Sequence, residues 1–206
     1  VLLCKNETGY RNLSYMVSQA YIEGFYIRPR IDLDLLRAHS EGLIGLSACL
    51  AGEIPRRIIN GDYDGAKTYA LEMRDILGEG NFYLELQDHG IPDQTIVNRA
   101  LLRMHNETGI PLVCTNDAHY LRKEDAESHD VLLCIQTGKT VDDENRMRYQ
   151  PQNFYLRSTQ EMEELFSGYP DAVENTQRIA DRCQLEFTFG KYHLPEFKLP
   201  PGYDSP

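Results

Sequence analysis

The chain is short of positive charge. Lys and Arg number 21 against 32 Asp and Glu in 206 residues, a formal net charge of -11. A balance of that sign provides no general field to attract nucleic acid, so any contact with DNA must be local. Over most of the surface it serves solubility. Long apolar runs are missing too. Nothing approaches the roughly 20 consecutive apolar residues that cross a bilayer, and no charged-then-apolar leader opens the chain, so no membrane partner is expected. Cysteines are few: Cys4, Cys49, Cys114, Cys134 and Cys183 are an odd number with no CxxC pair, a pattern that fits a reduced, cytoplasmic protein. Ser47 sits in Leu46-Ser47-Ala48 and not in the Gly-x-Ser-x-Gly elbow that strains a serine for attack. No GxGxxG or Gly-Lys-Ser/Thr loop is present to cradle a nucleotide phosphate.

What remains is enough for one well-cored domain, with 41% hydrophobic residues. The first residues, Val1-Leu2-Leu3-Cys4, include no initiator Met, and the chain reads as part of something longer that begins inside a strand. Apolar residues at helical spacing predict three helices with one buried stripe each: Leu13, Met16, Val17, Ala20 and Tyr21; Ala66, Tyr69, Ala70, Met73, Ile76 and Leu77; Ile96, Ala100, Leu101 and Met104. Gly78 and Gly109 close the last two. Between them lie strand-like runs, Leu43–Leu46, Phe82–Leu86 and Pro111–Cys114. Alternating strand and helix argues for a parallel sheet covered by helices, because parallel strands need long crossovers. After Tyr120 a helix is expected over 124–135, then a polar loop, a short strand at Phe154-Tyr155-Leu156, a capping box at Ser158–Glu161, and a helix from Pro170 with Val173, Thr176, Ile179, Ala180 and Cys183 on one face. The proline-rich stretch from Leu194 to Gly202 reads as a linker.

In parallel α/β folds the ligand end is where strands run into their following loops. Ser47-Ala48-Cys49 follows the first run, Gln87-Asp88-His89 the second, and Asn116-Asp117-Ala118-His119 the third. Thiolate, imidazole and carboxylate are the usual ligands of zinc and its neighbours, and residues two apart in an extended segment point the same way, so Asp117 and His119 can bind together. Against this, a single Cys after a strand is commonly a small buried hydrophobe, and Asp or His there is commonly a cap or turn. Cys114, Cys134 and Cys183 fall on apolar faces and read as core. His39, His105 and His129 lie in helical stretches, where a solvated face is the simpler expectation, and His193 says little.

Taken together, Lys5–Leu13, Pro29–Asp32, Leu46–Glu53, Phe82–Gly90, Thr115–Tyr120, Pro151–Tyr155 and Leu194–Phe197 resemble the PHP (polymerase and histidinol phosphatase) domain of the bacterial DNA polymerase III alpha type. That resemblance implies part of a distorted, TIM-like β/α barrel related to the metal-dependent amidohydrolases, with a C-terminal helical extension. Residues 1–140 would form the barrel portion, 141–193 the extension, and 194–206 a linker toward a polymerase core. It further implies a cluster of divalent metal (zinc, manganese or magnesium) at the strand ends, with Cys49, Asp117 and His119 matching ligands. His89 matches no ligand and is kept as a group supporting the ligands or contacting phosphate. The family's upstream His-x-His and its next ligands would precede Val1, so a partial or empty site is expected here, and the polymerase palm would follow Pro206. The implied activity is metal-dependent phosphodiester hydrolysis, a 3′→5′ proofreading exonuclease in support of DNA replication. The alternative is a non-catalytic scaffold that stabilises the polymerase and docks a proofreading subunit. A histidinol-phosphate type of phosphatase is disfavoured by the polymerase-like linker. DNA, reached through the polymerase, and other replisome subunits are the expected partners.

Overall fold

The computed structural model describes residues 1–192, 194, 198–199 and 201–202. His193 and most of the expected linker lie outside the described residues. Four strands, β1 (Leu2–Cys4), β2 (Leu43–Leu46), β3 (Phe82–Leu86) and β4 (Leu112–Cys114), form one sheet in the order β1-β2-β3-β4. The last three are mutually parallel, whereas β1 runs antiparallel to β2, with Leu2 opposite Gly45. The architecture is therefore an open mixed α/β sheet. Among the described residues it does not close into a barrel, since β1 and β4 remain its edges.

Side chains alternate across the pleat, so the sheet has two unlike faces. Leu43, Phe82, Leu84, Leu86, Leu112 and Cys114 turn to the larger core. There they meet α3 (Glu53–Ile59), α4 (Tyr63–Leu77) and α5 (Pro92–Thr108) through Ile54, Ala70, Met73, Leu101 and Met104. Ile44, Tyr83 and Val113 turn the other way and meet Ile179 of α8 (Pro170–Arg182), with Cys183 alongside. The guanidinium of Arg182 ties that end of α8 to the sheet by donating to Gly80 O at 2.8 Å and to the Tyr83 hydroxyl at 3.0 Å.

Local chemistry fixes the helix starts. Asn6 caps α1 (Glu7–Ile22) by accepting from Gly9 N, Asp32 caps α2 (Leu33–Ala38) from Leu35 N, and Asp62 caps α4 from Gly65 N, each satisfying an amide that the first helical turn leaves unpaired. Pro92 and Pro170 occupy first-turn positions of α5 and α8. The capping box of Ser158 and Glu161 opens α7 (Thr159–Leu165) as its sequence predicts. Gly9 is required for contact: a Cβ there would lie 2.0 Å from the carbonyl oxygen of Gly42, so α1 can approach the turn before β2 only without a side chain.

Several expectations differ from the structure, among them Ile96 of α5, which is 55% exposed, and Thr176 and Ala180 of α8, which are exposed as well. Met16 and Ala20 of α1 are buried, but Val17 and Tyr21 are 49% and 62% exposed; the buried stripe is narrower than the apolar one. Phe154–Leu156 makes only one bridge, Tyr155 beside Tyr120, and no strand. The helix expected from residue 124 begins as a 3-10 turn, Lys123–Asp125, before α6 (Ala126–Thr137). No helix among the described residues is long and apolar enough to cross a membrane.

Candidate functional site

Because β2, β3 and β4 are parallel, the loops that follow them open at one end of the sheet, and a buried polar network joins them. Its centre is Glu85, 6% exposed in the middle of β3. One carboxylate oxygen accepts from Ala48 N at 2.8 Å; the other accepts from Gln87 Nε2 at 3.0 Å and from the Thr115 hydroxyl. The backbone N–H of Glu85 in turn donates to Ser47 Oγ at 2.8 Å. A buried carboxylate is tolerated when its lone pairs are filled in this way. In the sequence, Glu85 stands out as a charged residue inside the apolar run Phe82–Leu86.

Cys49 follows Ala48, whose φ of +65° is left-handed. It lies on the β1 side of the network. Asp117 is likewise left-handed, at φ +45°, and its Oδ1 stands 3.7 Å from His119 Nε2, with both side chains about one-third exposed. The backbone of His119 is held by its N–H, which donates to Phe154 O at 2.7 Å. Non-glycine residues in this region cost about 1–3 kcal/mol each and collect at functional loops. Only Ile27 besides these two adopts such a conformation among the described residues.

His89 is 1% exposed, and both of its ring nitrogens are engaged. Gln94 Oε1 accepts from His89 N at 2.8 Å, which turns the Gln94 amide nitrogen toward His89 Nδ1, also 2.8 Å away. The proton therefore sits on Nε2 and is donated to Asn116 O at 2.6 Å. Burial pushes the pKa down, the hydrogen bond to Asn116 opposes it, and the ring stacks on Phe154 at 4.1 Å. Such a neutral, saturated imidazole joins the β3 and β4 loops and has no nitrogen free for a phosphate. Arg157 reinforces the same junction, donating to Asp88 O at 2.9 Å and to Asn116 Oδ1 at 3.3 Å.

His129 of α6, expected on a solvated face, is half-buried instead. Its ring lies 5.8 Å from that of His119, 5.3 Å from Tyr120 and 5.2 Å from Tyr149. Burial, then the neighbouring His119, lowers its pKa. Tyr149 also stands 4.7 Å from the His119 ring. Nothing in the spacing of residues 119, 129 and 149 announces this cluster, because the polar loop that brings Tyr149 back has no periodicity.

The resemblance to PHP domains implies a divalent metal. Here, among the described residues, no group of three or more His, Cys, Asp or Glu side chains gathers closely enough to hold an ion. Asp117 and His119 come together as a carboxylate and imidazole pair; Cys49 does not join them. The donors present do not by themselves fit a metal cluster.

Residues 1–89 of this open α/β sheet match the PHP domain family. Along its whole length the chain is 47% identical over 206 residues to DNA polymerase III subunit alpha of Borreliella burgdorferi, covering 100% of this chain and 18% of that protein. It is 44% identical over 205 residues to the same subunit of Treponema pallidum, covering 100% and 18%, and 42% identical over 210 residues to that of Thermus aquaticus, covering 98% and 17%. The chain is thus similar to a segment of bacterial DNA polymerase III alpha subunits and spans under a fifth of the length of these relatives.

Proposed function

We propose that the chain is the PHP-domain segment of a replicative DNA polymerase alpha subunit, acting in DNA replication, and that its strand-end loops contribute to a centre that hydrolyses phosphodiesters at a 3′ end. The observation that carries this reading is the coincidence of strain and donors. Left-handed Ala48 and Asp117 immediately precede or supply Cys49, Asp117 and His119, at one end of the sheet. Any divalent ion there, whether zinc, manganese or magnesium, would need donors beyond Asp117 and His119, with Cys49 the third candidate. In this reading the open sheet is an arc of a distorted β/α barrel, residues 1–140 its barrel portion, 141–193 its extension and 194–206 a linker. DNA and other replisome subunits are the partners.

A second reading, a scaffold that stabilises the polymerase and docks a proofreading subunit, is favoured by a different observation. Glu85, Gln87, His89 and Asn116 are spent on hydrogen bonds between loops, and no buried side-chain nitrogen or oxygen among the described residues lacks a partner. The two readings separate in a full-length alpha subunit containing this chain. Asp117→Asn nearly preserves shape while removing the charge, so it should lower the removal of a mismatched 3′ nucleotide by 100-fold or more, taking about 10² as the scale of losing one charged catalytic contact, and leave primer extension within twofold. An unchanged nuclease rate with unchanged bound metal overturns the hydrolytic reading in favour of the scaffold.

A further inference from the structure

Beside His119 lies a polar pocket of about 140 Å³, lined by Tyr120, His129, Arg148, Tyr149, Gln150 and Gln152 among others. Three of those residues offer aromatic or imidazole rings, and two of the rings, Tyr149 and His129, also pack on His119. Part of the pocket wall thus also bounds His119. Gln150 and Gln152 are exposed and bring amide groups that both donate and accept.

The charges at the pocket are unequal. Asp130, the one carboxylate lining it, is clamped by both terminal nitrogens of Arg146 at 2.5 Å, and this guanidinium holds its pKa below the usual carboxylate range. Arg148 is different. It donates only to the backbone carbonyls of Val141 and Asp143, at 3.4 and 3.3 Å, and among the described residues it forms no ion pair with a carboxylate. In a chain of net charge -11, a guanidinium without a carboxylate ion pair beside a cluster of tilted rings answers the requirement that any contact with DNA be local.

We propose that this pocket binds one unpaired nucleotide of single-stranded DNA, its base stacked against Tyr149 and His129, its edge read by the Gln150 and Gln152 amides, and its phosphate held by Arg148. Aromatic faces that accept successive bases, combined with a guanidinium on the backbone, are the shared chemistry of single-strand binding, and a snug polar pocket is how an extruded base is received. The inference rests on the nucleic-acid reading above and supplies it with a substrate form: a frayed end rather than paired duplex. A terminal nucleotide lodged there would sit one ring away from His119.

The test is fluorescence anisotropy of a fluorescein-labelled ten-nucleotide oligothymidylate with the 206-residue chain in EDTA. Thermal midpoints are measured alongside. Tyr149→Leu, which keeps apolar bulk but removes the aromatic face, should weaken binding about tenfold, the scale of one lost base stack. Tyr149→Phe should bind as the parent chain does. Arg148→Gln, an exposed position that bonds only to backbone, should lower the slope of log K against log salt by about 0.7, as expected for one phosphate contact on a single strand. The proposal is overturned if the parent chain does not bind, if duplex of the same length binds equally well, or if Tyr149→Leu binds unchanged. Because this assay contains no free metal and reads binding alone, it fails separately from the hydrolytic reading. Tyr149-dependent binding without nuclease activity sinks hydrolysis only; nuclease activity with Tyr149-independent binding sinks the pocket only.

Discussion

Glu85→Leu asks whether a carboxylate in the middle of a buried strand stabilises the strand-end loops or merely survives there. The side chain is 6% exposed and its two oxygens accept from Ala48 N, Gln87 Nε2 and the Thr115 hydroxyl. Leucine accepts none of these. The Thr115 hydroxyl can turn to another acceptor, but the Ala48 N–H and one Gln87 amide proton are left without a partner, at about 1–3 kcal/mol each. Relief of the carboxylate's own desolvation offsets part of the loss. The net cost is about 3 kcal/mol, and for a chain of this size each kcal/mol moves the midpoint by roughly 2–4 °C, so thermal unfolding followed by circular dichroism should shift down by roughly 6–12 °C. Glu85→Gln should cost about 1 kcal/mol, because its amide can meet Thr115 and a flipped Gln87 while its oxygen keeps Ala48, each as a weaker neutral bond. A Leu variant as stable as the parent would refute the reasoning, since it would mean that desolvation cancels every bond the carboxylate makes.

Three further outcomes are expected. Gly9→Ala should lower the midpoint even though alanine favours a helix by roughly 1 kcal/mol, since its Cβ would lie 2.0 and 2.6 Å from the carbonyl oxygen and carbon of Gly42, an overpacking that costs about 1–3 kcal/mol or more; a midpoint that rises shows that the two backbones can separate freely. His89 has a pKa lowered from 6.5, so the unfolded chain binds more protons than the folded one between those two values. Its contribution is present above pH 6.5 and is lost as the pH falls through the lowered value; urea midpoints should decline from pH 7 to pH 5, less steeply in His89→Gln, and identical slopes would remove His89 as the cause. Burial raises the Cys114 thiol to about 12, so iodoacetamide should alkylate partly exposed Cys49 well before Cys114, as peptide mapping after limited labelling would read.

The parts of the fold that could be read ahead are those whose sequence pattern and packing share one period. In α4, Ala66, Ala70, Met73, Ile76 and Leu77 are buried at the helical spacing that announced them, and the αL residue Gly109 ends α5 as its position suggested. α2 and α3 went unread because six or seven residues hold under two turns, too few for a stripe to declare itself. Tyr21 shows the opposite failure: it fits the apolar period but projects past the narrow contact that α1 makes through Met16 and Ala20. Asp117 and His119 were legible as a pair by their spacing, and the structure sets them 3.7 Å apart. The company of His129 and Tyr149 was not, because it depends on where a loop without periodicity returns. The saturation of His89 by Gln94 and Asn116 is equally a product of tertiary placement.

The two faces of the sheet differ in cohesion, and that difference has a kinetic consequence. One face is built into the large core with α3, α4 and α5; the other is covered by Ile179 and Cys183 and latched by Arg182, while Ala172, near the start of α8, belongs to the large core. Local opening follows the least apolar burial, so the second half of α8 can fray from Ile44, Tyr83 and Val113 while its first turn stays anchored. Amide exchange should therefore run in two tiers, with the last two turns of α8 exchanging through a sub-global opening and the β3 amides only when the entire chain unfolds.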